Sequence, residues 1–310
     1  MFRNRGKRDL LDVDQLDRAE IESLLESAEA FEEVLRRPIK KVPALRGKTV
    51  VNLFYEPSTR TRMSFELAAK SLSADVLNFS ASSSSVEKGE SLKDTGLTVQ
   101  AMGADALVVR HPMAGAPDKL AEWLDIPVIN AGDGMHAHPT QALLDIYVMR
   151  KRLGALEGKR VTFVGDILHS RVARSGIKAC SMMGMEVAVA APPTFLPDWL
   201  PSGVEVFYRL DDVLRDSHVI YLLRIQRERQ VQGFLPSLEE YVHFFQLNEE
   251  RLGKARPDVL VMHPGPMNRG VEITPKVAES PQSLVDYQVT CGVAVRMAIL
   301  FLLLGGSGGA

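Results

Sequence analysis

Thr49-Val50-Val51-Asn52-Leu53-Phe54-Tyr55-Glu56-Pro57-Ser58-Thr59-Arg60-Thr61-Arg62 sets an apolar run directly against a helix start rich in hydroxyls and guanidiniums. Residues 49–55 read as a buried strand and residues 61–72 as the helix that follows it. At such a helix start the dipole and the N–H groups without intrahelical partners favour an anion. The bland alternative is a capped helix whose arginines make surface ion pairs. Two arginines and three hydroxyls packed into Ser58 to Arg62 favour a phosphate seat instead. No Gly-x-x-x-x-Gly-Lys accompanies it, so a nucleoside triphosphate loop is not supported.

Outward from this stretch the pattern alternates. Upstream, Leu16, Ile21, Leu24, Leu25, Ala28, Phe31, Val34 and Leu35 recur at helical spacing, with Asp14 as the cap and Pro38 as the stop. Downstream come strand-like residues 76–79, helix-like 91–102, strand-like 106–109, helix-like 118–124 and strand-like 127–130. Pro139 opens a long helix ending in Arg150-Lys151-Arg152 and Gly154, where a domain junction is placed. The rhythm resumes at residues 161–164, 174–183, 187–191, 210–214, 219–223 and 259–262, and a helix over 288–304, apolar nearly all round, closes the chain. The fold class is α/β: two wound parallel-sheet domains with helices on both faces.

Composition bounds the function. A chain of 310 residues holds two ordinary domains, and its 45% apolar content, 25% charged content and net charge of -2 recruit neither nucleic acid nor an anionic membrane. Any anion site must be built locally. Cys180 and Cys291 stand far apart without a CxxC spacing and read as buried free thiols. The basic start before Asp9 lacks the apolar core of an export signal, and the longest apolar run, 297–304, is short of the ~20 residues of a membrane span; a cytoplasmic protein is expected.

Other segments bear chemistry. His138-Pro139-Thr140-Gln141 follows the glycine turn Gly132-Asp133-Gly134; His138 is either a satisfied loop histidine or, with Gln141, a group that holds and polarises a carbonyl. His136-Ala137-His138 has no obvious third ligand, so no metal is assigned. Val161-Thr162-Phe163-Val164-Gly165-Asp166 has one glycine where a dinucleotide fingerprint needs three. Arg110, Arg171 and Arg224 each follow a strand, at the edge where wound sheets bind ligands. Residues 80–90, serine-rich and ending near Lys88, read as a linker by composition and as a lid by position, with Ser84 and Lys88 suited to reach a phosphate. His263-Pro264-Gly265-Pro266 forms a rigid turn with X-Pro bonds that accept the cis form.

Seven phrases, in order along nearly the whole chain, resemble the aspartate carbamoyltransferase family: 54–62, 88–91, 109–112, 130–134, 138–141, 224–229 and 263–266. The resemblance implies a carbamoyl phosphate domain (1–143 with 285–310), an aspartate domain (144–284), and an active site in the cleft between them. It implies that Ser58, Thr59, Arg60, Thr61 and Arg110 hold phosphate, that Thr61, Arg110 and His138 polarise the carbamoyl oxygen, and that Gln141 orients its amine. It further implies that Arg171, Arg224 and Gln226 bind the aspartate carboxylates, that Lys88 bridges both substrates, and that Gly265 and Pro266 contact the reacting groups. Glu56 and Arg229 match the family's interdomain ion-pair positions. A homotrimer is implied, with Ser84 and Lys88 entering the neighbour's site, and no cofactor. Glu87 and Gly265 depart from some relatives, leaving loop closure and regulation open, as are a regulatory chain or a dihydroorotase partner and nucleotide effectors. The rivals are an ornithine carbamoyltransferase, which Arg224 and Gly265 oppose, and a noncatalytic scaffold homologue.

Overall fold

A computed structural model describes residues 9–80, 90–225, 235 and 237–305. Its contacts divide the chain into two units, Met1–Tyr147 with Val289–Ala310, and Val148–Gln288. The crossings at 147/148 and 288/289 each fall inside a helix, α5 (Pro139–Leu153) and α10 (Val285–Leu304).

In the first unit α1 (Arg18–Arg36) starts later than its apolar periodicity implies. Its cap is Asp17 and not Asp14, because Glu20 lies where it can complete a reciprocal box: Glu20 N–H donates to Asp17 at 2.8 Å and Asp17 N–H to Glu20 at 3.1 Å. Asp14 sits in a short 3-10 turn before it. The helix stops at Arg36, and Arg37, forced out of helical geometry by Pro38, is extended.

Four parallel strands follow, β1 (Thr49–Phe54), β2 (Asp75–Ser80), β3 (Ala106–His111) and β4 (Val128–Asp133), in the order β2-β1-β3-β4. From β1 the chain crosses through α2 (Thr59–Ser71) to β2 on one side; it then returns through α3 (Leu92–Ala101) to β3, and through α4 (Ala116–Trp123) to β4. Right-handed crossovers in opposite directions place α2 on one face and α3 and α4 on the other. The packing agrees: Val51 and Leu53 of β1 cluster with Leu107, Val99, Leu120 and Leu124, while Val50, Asn52 and Phe54, pointing the other way, are buried too.

The second unit carries five parallel strands in the order β7-β6-β5-β8-β9: β5 (Arg160–Val164), β6 (Glu186–Ala190), β7 (Glu205–Phe207), β8 (Val219–Leu222) and β9 (Leu260–Met262). Helix α6 (Arg171–Met182) joins β5 to β6, and α7 (Leu238–Phe245), α8 (Glu249–Lys254) and α9 (Pro275–Ala278) surround β9 in sequence. Strand β7 carried no sequence signal, since a short and largely exposed edge strand lacks an apolar run. Residues 210–214, in a helix place of the alternation, hold only a 3-10 turn at Leu210–Asp212.

Helix α10 is long and apolar enough by composition to cross a membrane, longer than the 297–304 run alone indicates. Two-thirds of that stretch is buried within the protein, as a core helix would be, with Cys291, Ala294, Val295, Met297 and Leu300 fully enclosed. The one cation along it, Arg296, is also buried.

Candidate functional site

Strand order fixes where each unit can hold a ligand. In the first sheet the winding reverses between β1 and β3, which opens a crevice at their carboxyl ends. The Ser58 turn leaves β1 there, and Arg110 stands beside it, in register with Phe54, its carbonyl accepting from Tyr55 N–H at 2.9 Å. Ser58 occupies the N-cap of α2 in extended geometry yet its hydroxyl makes no capping bond, whereas Asp17, Ser91 and Ser170 all cap their helices. The first turn of α2 holds no acidic residue. Thr59 and Arg60 are exposed and Thr61 is buried. The helix start therefore keeps its positive end and a hydroxyl for an outside anion. Arg110 donates from Nε to Glu56 Oε2 at 3.2 Å within this same unit. That bond fixes the guanidinium from its Nε side.

The loop after β4 is held by a single carboxylate. Asp133 Oδ1 accepts from Asn130 Nδ2 at 2.8 Å and Ala137 N–H at 3.1 Å, and Oδ2 from Gly115 N–H at 2.7 Å and His136 Nδ1 at 3.0 Å. Burial raises the Asp133 pKa, but these bonds outweigh it and the carboxyl titrates below its usual range; the bond to Asp133 raises that of His136 against burial. Ligand atoms of Asp118, Asp133 and His136 lie within 4.8 Å of one another, but with both Asp133 oxygens filled by donors the cluster serves as a loop clamp. Gly134, at φ +45°, passes so close to Ala114 that a Cβ would meet its nitrogen at 2.9 Å. Asp133→Ala strands four donors, so unfolding of this unit in urea should need about 3 kcal/mol less, and a loss under about 1 kcal/mol would show the loop is held otherwise.

This clamp delivers His138, 4% exposed, to the start of α5, with Pro139 at the first helical position. Thr140 Oγ1 lies 3.5 Å from His138 Nδ1, and one turn on, Gln141 Nε2 donates to Asp145 Oδ1 at 3.1 Å. His111, at the end of β3, has its pKa lowered by burial and accepts Met113 N–H on Nδ1 at 3.0 Å.

In the second sheet the winding reverses between β5 and β8. Gly165 leaves β5 at φ +114°, where a Cβ would meet the Tyr241 hydroxyl at 2.7 Å, so no other residue fits. Asp166 then accepts from His169 Nδ1 at 2.8 Å and His169 N–H at 3.2 Å, and Ser170 caps α6 through Ala173 N–H at 3.1 Å. Arg171, the first residue of α6, is buried, and Arg224, just past β8, is half-buried. After β9 comes His263, whose Nδ1 accepts Gly265 N–H at 2.8 Å; its Nε2 therefore carries the proton and donates to Glu272 Oε1 at 3.3 Å. His263 N–H donates to Gln288 Oε1 at 3.0 Å, and Gly265-Pro266 is cis.

The sequence-predicted residues thus fall in two groups. Glu56, Ser58, Thr59, Arg60, Thr61, Arg110, His138 and Gln141 belong to the first unit; Arg171, Arg224, Gly265 and Pro266 to the second. Ser84, Lys88, Gln226 and Arg229 lie outside the described residues. Sequence reasoning gave no role to Asp145, Arg296, His169 or Glu272. Asp145 had a signal, being four residues from Gln141 on a helix, and so had Arg296, a lone cation in an apolar one.

Residues 8–151 match the family model described as aspartate/ornithine carbamoyltransferase, carbamoyl-P binding domain, and residues 157–303 match its Asp/Orn binding domain. The chain is 56% identical over 300 residues to the aspartate carbamoyltransferase catalytic subunit of Desulforudis audaxviator, covering 96% of this chain and 98% of the relative. Among solved structures it resembles the Trypanosoma cruzi aspartate transcarbamoylase in complex with carbamoyl phosphate and aspartate (TM-score 0.88, 30% identity, 96% and 97% of the two chains). It also resembles the ornithine carbamoyltransferase of Pyrococcus furiosus (TM-score 0.86, 31% identity, 96% and 97%).

Proposed function

The chain belongs to the aspartate/ornithine carbamoyltransferase family, and from that premise we propose that it transfers the carbamoyl group of carbamoyl phosphate to the amine of L-aspartate. The products are N-carbamoyl-L-aspartate and phosphate, a step of de novo pyrimidine biosynthesis. The observation that carries the choice of substrates is the placing of cations at both switch points: an uncapped, acid-free helix start with Arg60 and Arg110 in one unit, and Arg171 with Arg224 in the other.

In this reading residues 1–143 with 285–310 form the carbamoyl phosphate domain and 144–284 the aspartate domain. Ser58, Thr59, Arg60, Thr61 and Arg110 bind the phosphate, and Arg171, Arg224 and Gln226 the aspartate carboxylates. Attack of the neutral amine on the carbamoyl carbon builds negative charge on the carbonyl oxygen, which Thr61, Arg110 and His138 stabilise. The departing phosphate takes the amine proton, so no separate base and no cofactor is needed. The cis Gly265-Pro266 turn contacts the reacting groups, and Lys88 bridges both substrates.

Ornithine is the poorer acceptor because its side-chain ammonium, ~4 Å from the Arg224 guanidinium, would cost about 4 kcal/mol at an intermediate dielectric. Phosphate release from carbamoyl phosphate, measured with aspartate and with ornithine, tests the assignment. Turnover only with ornithine would reverse it, and none with either would leave a scaffold protein.

A cytoplasmic homotrimer sharing its sites through Ser84 and Lys88 completes the proposal. Its support is exposed apolar side chains: Met63 and Leu67, one turn apart on α2, are 52% and 51% exposed, and Leu77, on the edge strand β2, is 55% exposed. The double variant Met63→Glu/Leu67→Glu should sediment as a single chain and lose activity with the trimer. A variant that stays trimeric would place the interface elsewhere. Sedimentation with and without a regulatory chain or dihydroorotase tests any larger assembly.

A further inference from the structure

The Gln141 amide donates from Nε2 to Asp145 Oδ1, and Asp145 is 2% exposed. An ionised carboxylate only accepts, so the nitrogen end of that amide must face Asp145 and the carbonyl oxygen must face the other way. Arg296 of α10 is also buried, at 4% exposed. Its Nη1 donates to Ser64 Oγ and to Gly292 O, both at 3.0 Å, and its guanidinium lies 5.3 Å over the Phe65 ring. Burial pulls the Arg296 pKa down to about 10, and the charge of Asp145 opposes that fall. Gln141, Asp145, Ser64, Phe65 and Arg296 all belong to the first unit. Opposite charges this deep are costly to desolvate, and no step of the transfer uses them.

We propose that Asp145, backed by Arg296, is a positioning residue that locks the Gln141 amide with its carbonyl oxygen toward the donor, so that the site selects an –NH2 over a methyl group there. The inference rests on the carbamoyl-transfer assignment. Acetyl phosphate is the matching probe, with the same phosphoryl and carbonyl groups and a methyl in place of the amino group. A Gln141 amide free to turn would present its own NH2 to the carbamoyl NH2 and lose that hydrogen bond, while a methyl has none to lose.

Asp145→Asn keeps the shape but offers a donor as well as an acceptor, which releases the lock. The double variant Asp145→Asn/Arg296→Met removes the buried cation as well, should the single variant fail to fold. Carbamoyl-aspartate formation is followed to give kcat/KM for carbamoyl phosphate, the inhibition constant of acetyl phosphate and KM for aspartate. Expected is a drop in kcat/KM on the order of tenfold to a hundredfold, with acetyl phosphate inhibition within about twofold of wild type and KM for aspartate unchanged. Gln141→Leu, which leaves the buried charges in place, should narrow the preference equally. Parallel weakening toward both phosphates, or an unaltered preference in folded variants, overturns the proposal. A wild-type chain inactive with carbamoyl phosphate and aspartate would instead defeat the reaction assignment.

Discussion

Arg110→Met lowers kcat by about 10²–10³, equivalent to about 2.7–4 kcal/mol of transition-state stabilisation, the loss usual for one donor at a developing oxyanion. The size follows from rigidity. Arg110 lies within β3, its backbone paired to β1 through Phe54 and Tyr55, and its Nε bonded to Glu56, so the side chain is aimed before any ligand arrives. A donor already oriented needs no reorganisation as charge builds, which is where its advantage over water lies. The Glu56 pairing separates aiming from chemistry. Glu56→Gln can still accept from Arg110 and should keep kcat within about tenfold of wild type, whereas Arg110→Met should not. Steady-state rates at saturating substrates decide, with unfolding curves confirming that both variants are folded. A kcat for Arg110→Met within tenfold of wild type would remove the arginine from the reacting centre.

Why Arg110 and Arg224 could be located from sequence, and the Ser64–Arg296 and His263–Glu272 pairings could not, is a matter of range. The apolar runs 106–109 and 219–222 are buried on both faces, and the residues just past them fall at a sheet edge by topology alone. Helix starts are legible to within a few residues where capping chemistry is local, and Asp17 caps α1 instead of Asp14 because its box partner Glu20 lies three residues on. What escaped was long-range or polar. Ser64 and Arg296 meet across more than two hundred positions, and the pairing of His263 with Glu272 depends on a turn whose geometry no apolar period announces. The strand order within each sheet, which creates the switch points, also emerges only when the crossovers are laid down.

Arg224→Lys raises KM for aspartate about a hundredfold while leaving KM for carbamoyl phosphate within about twofold, because lysine keeps the charge but not the planar fork that grips a carboxylate at two points. The backbone at this position is fixed: Leu223 N–H donates to Val164 O at 2.9 Å, anchoring the chain to β5 one residue earlier. Shortening the reach or losing the fork therefore cannot be offset by a shift of the strand. Arg224→Met separates geometry from charge. It should weaken aspartate at least as much as lysine does, and it alone should relax the exclusion of ornithine, since repulsion of about 4 kcal/mol, nearly a thousandfold, disappears with the cation. Arg224→Lys should continue to exclude ornithine. Initial rates with each amino acid varied at saturating carbamoyl phosphate, and the converse, give all of these constants. If both variants weakened carbamoyl phosphate and aspartate alike, the guanidinium would be supporting the fold of the β8 edge rather than a carboxylate.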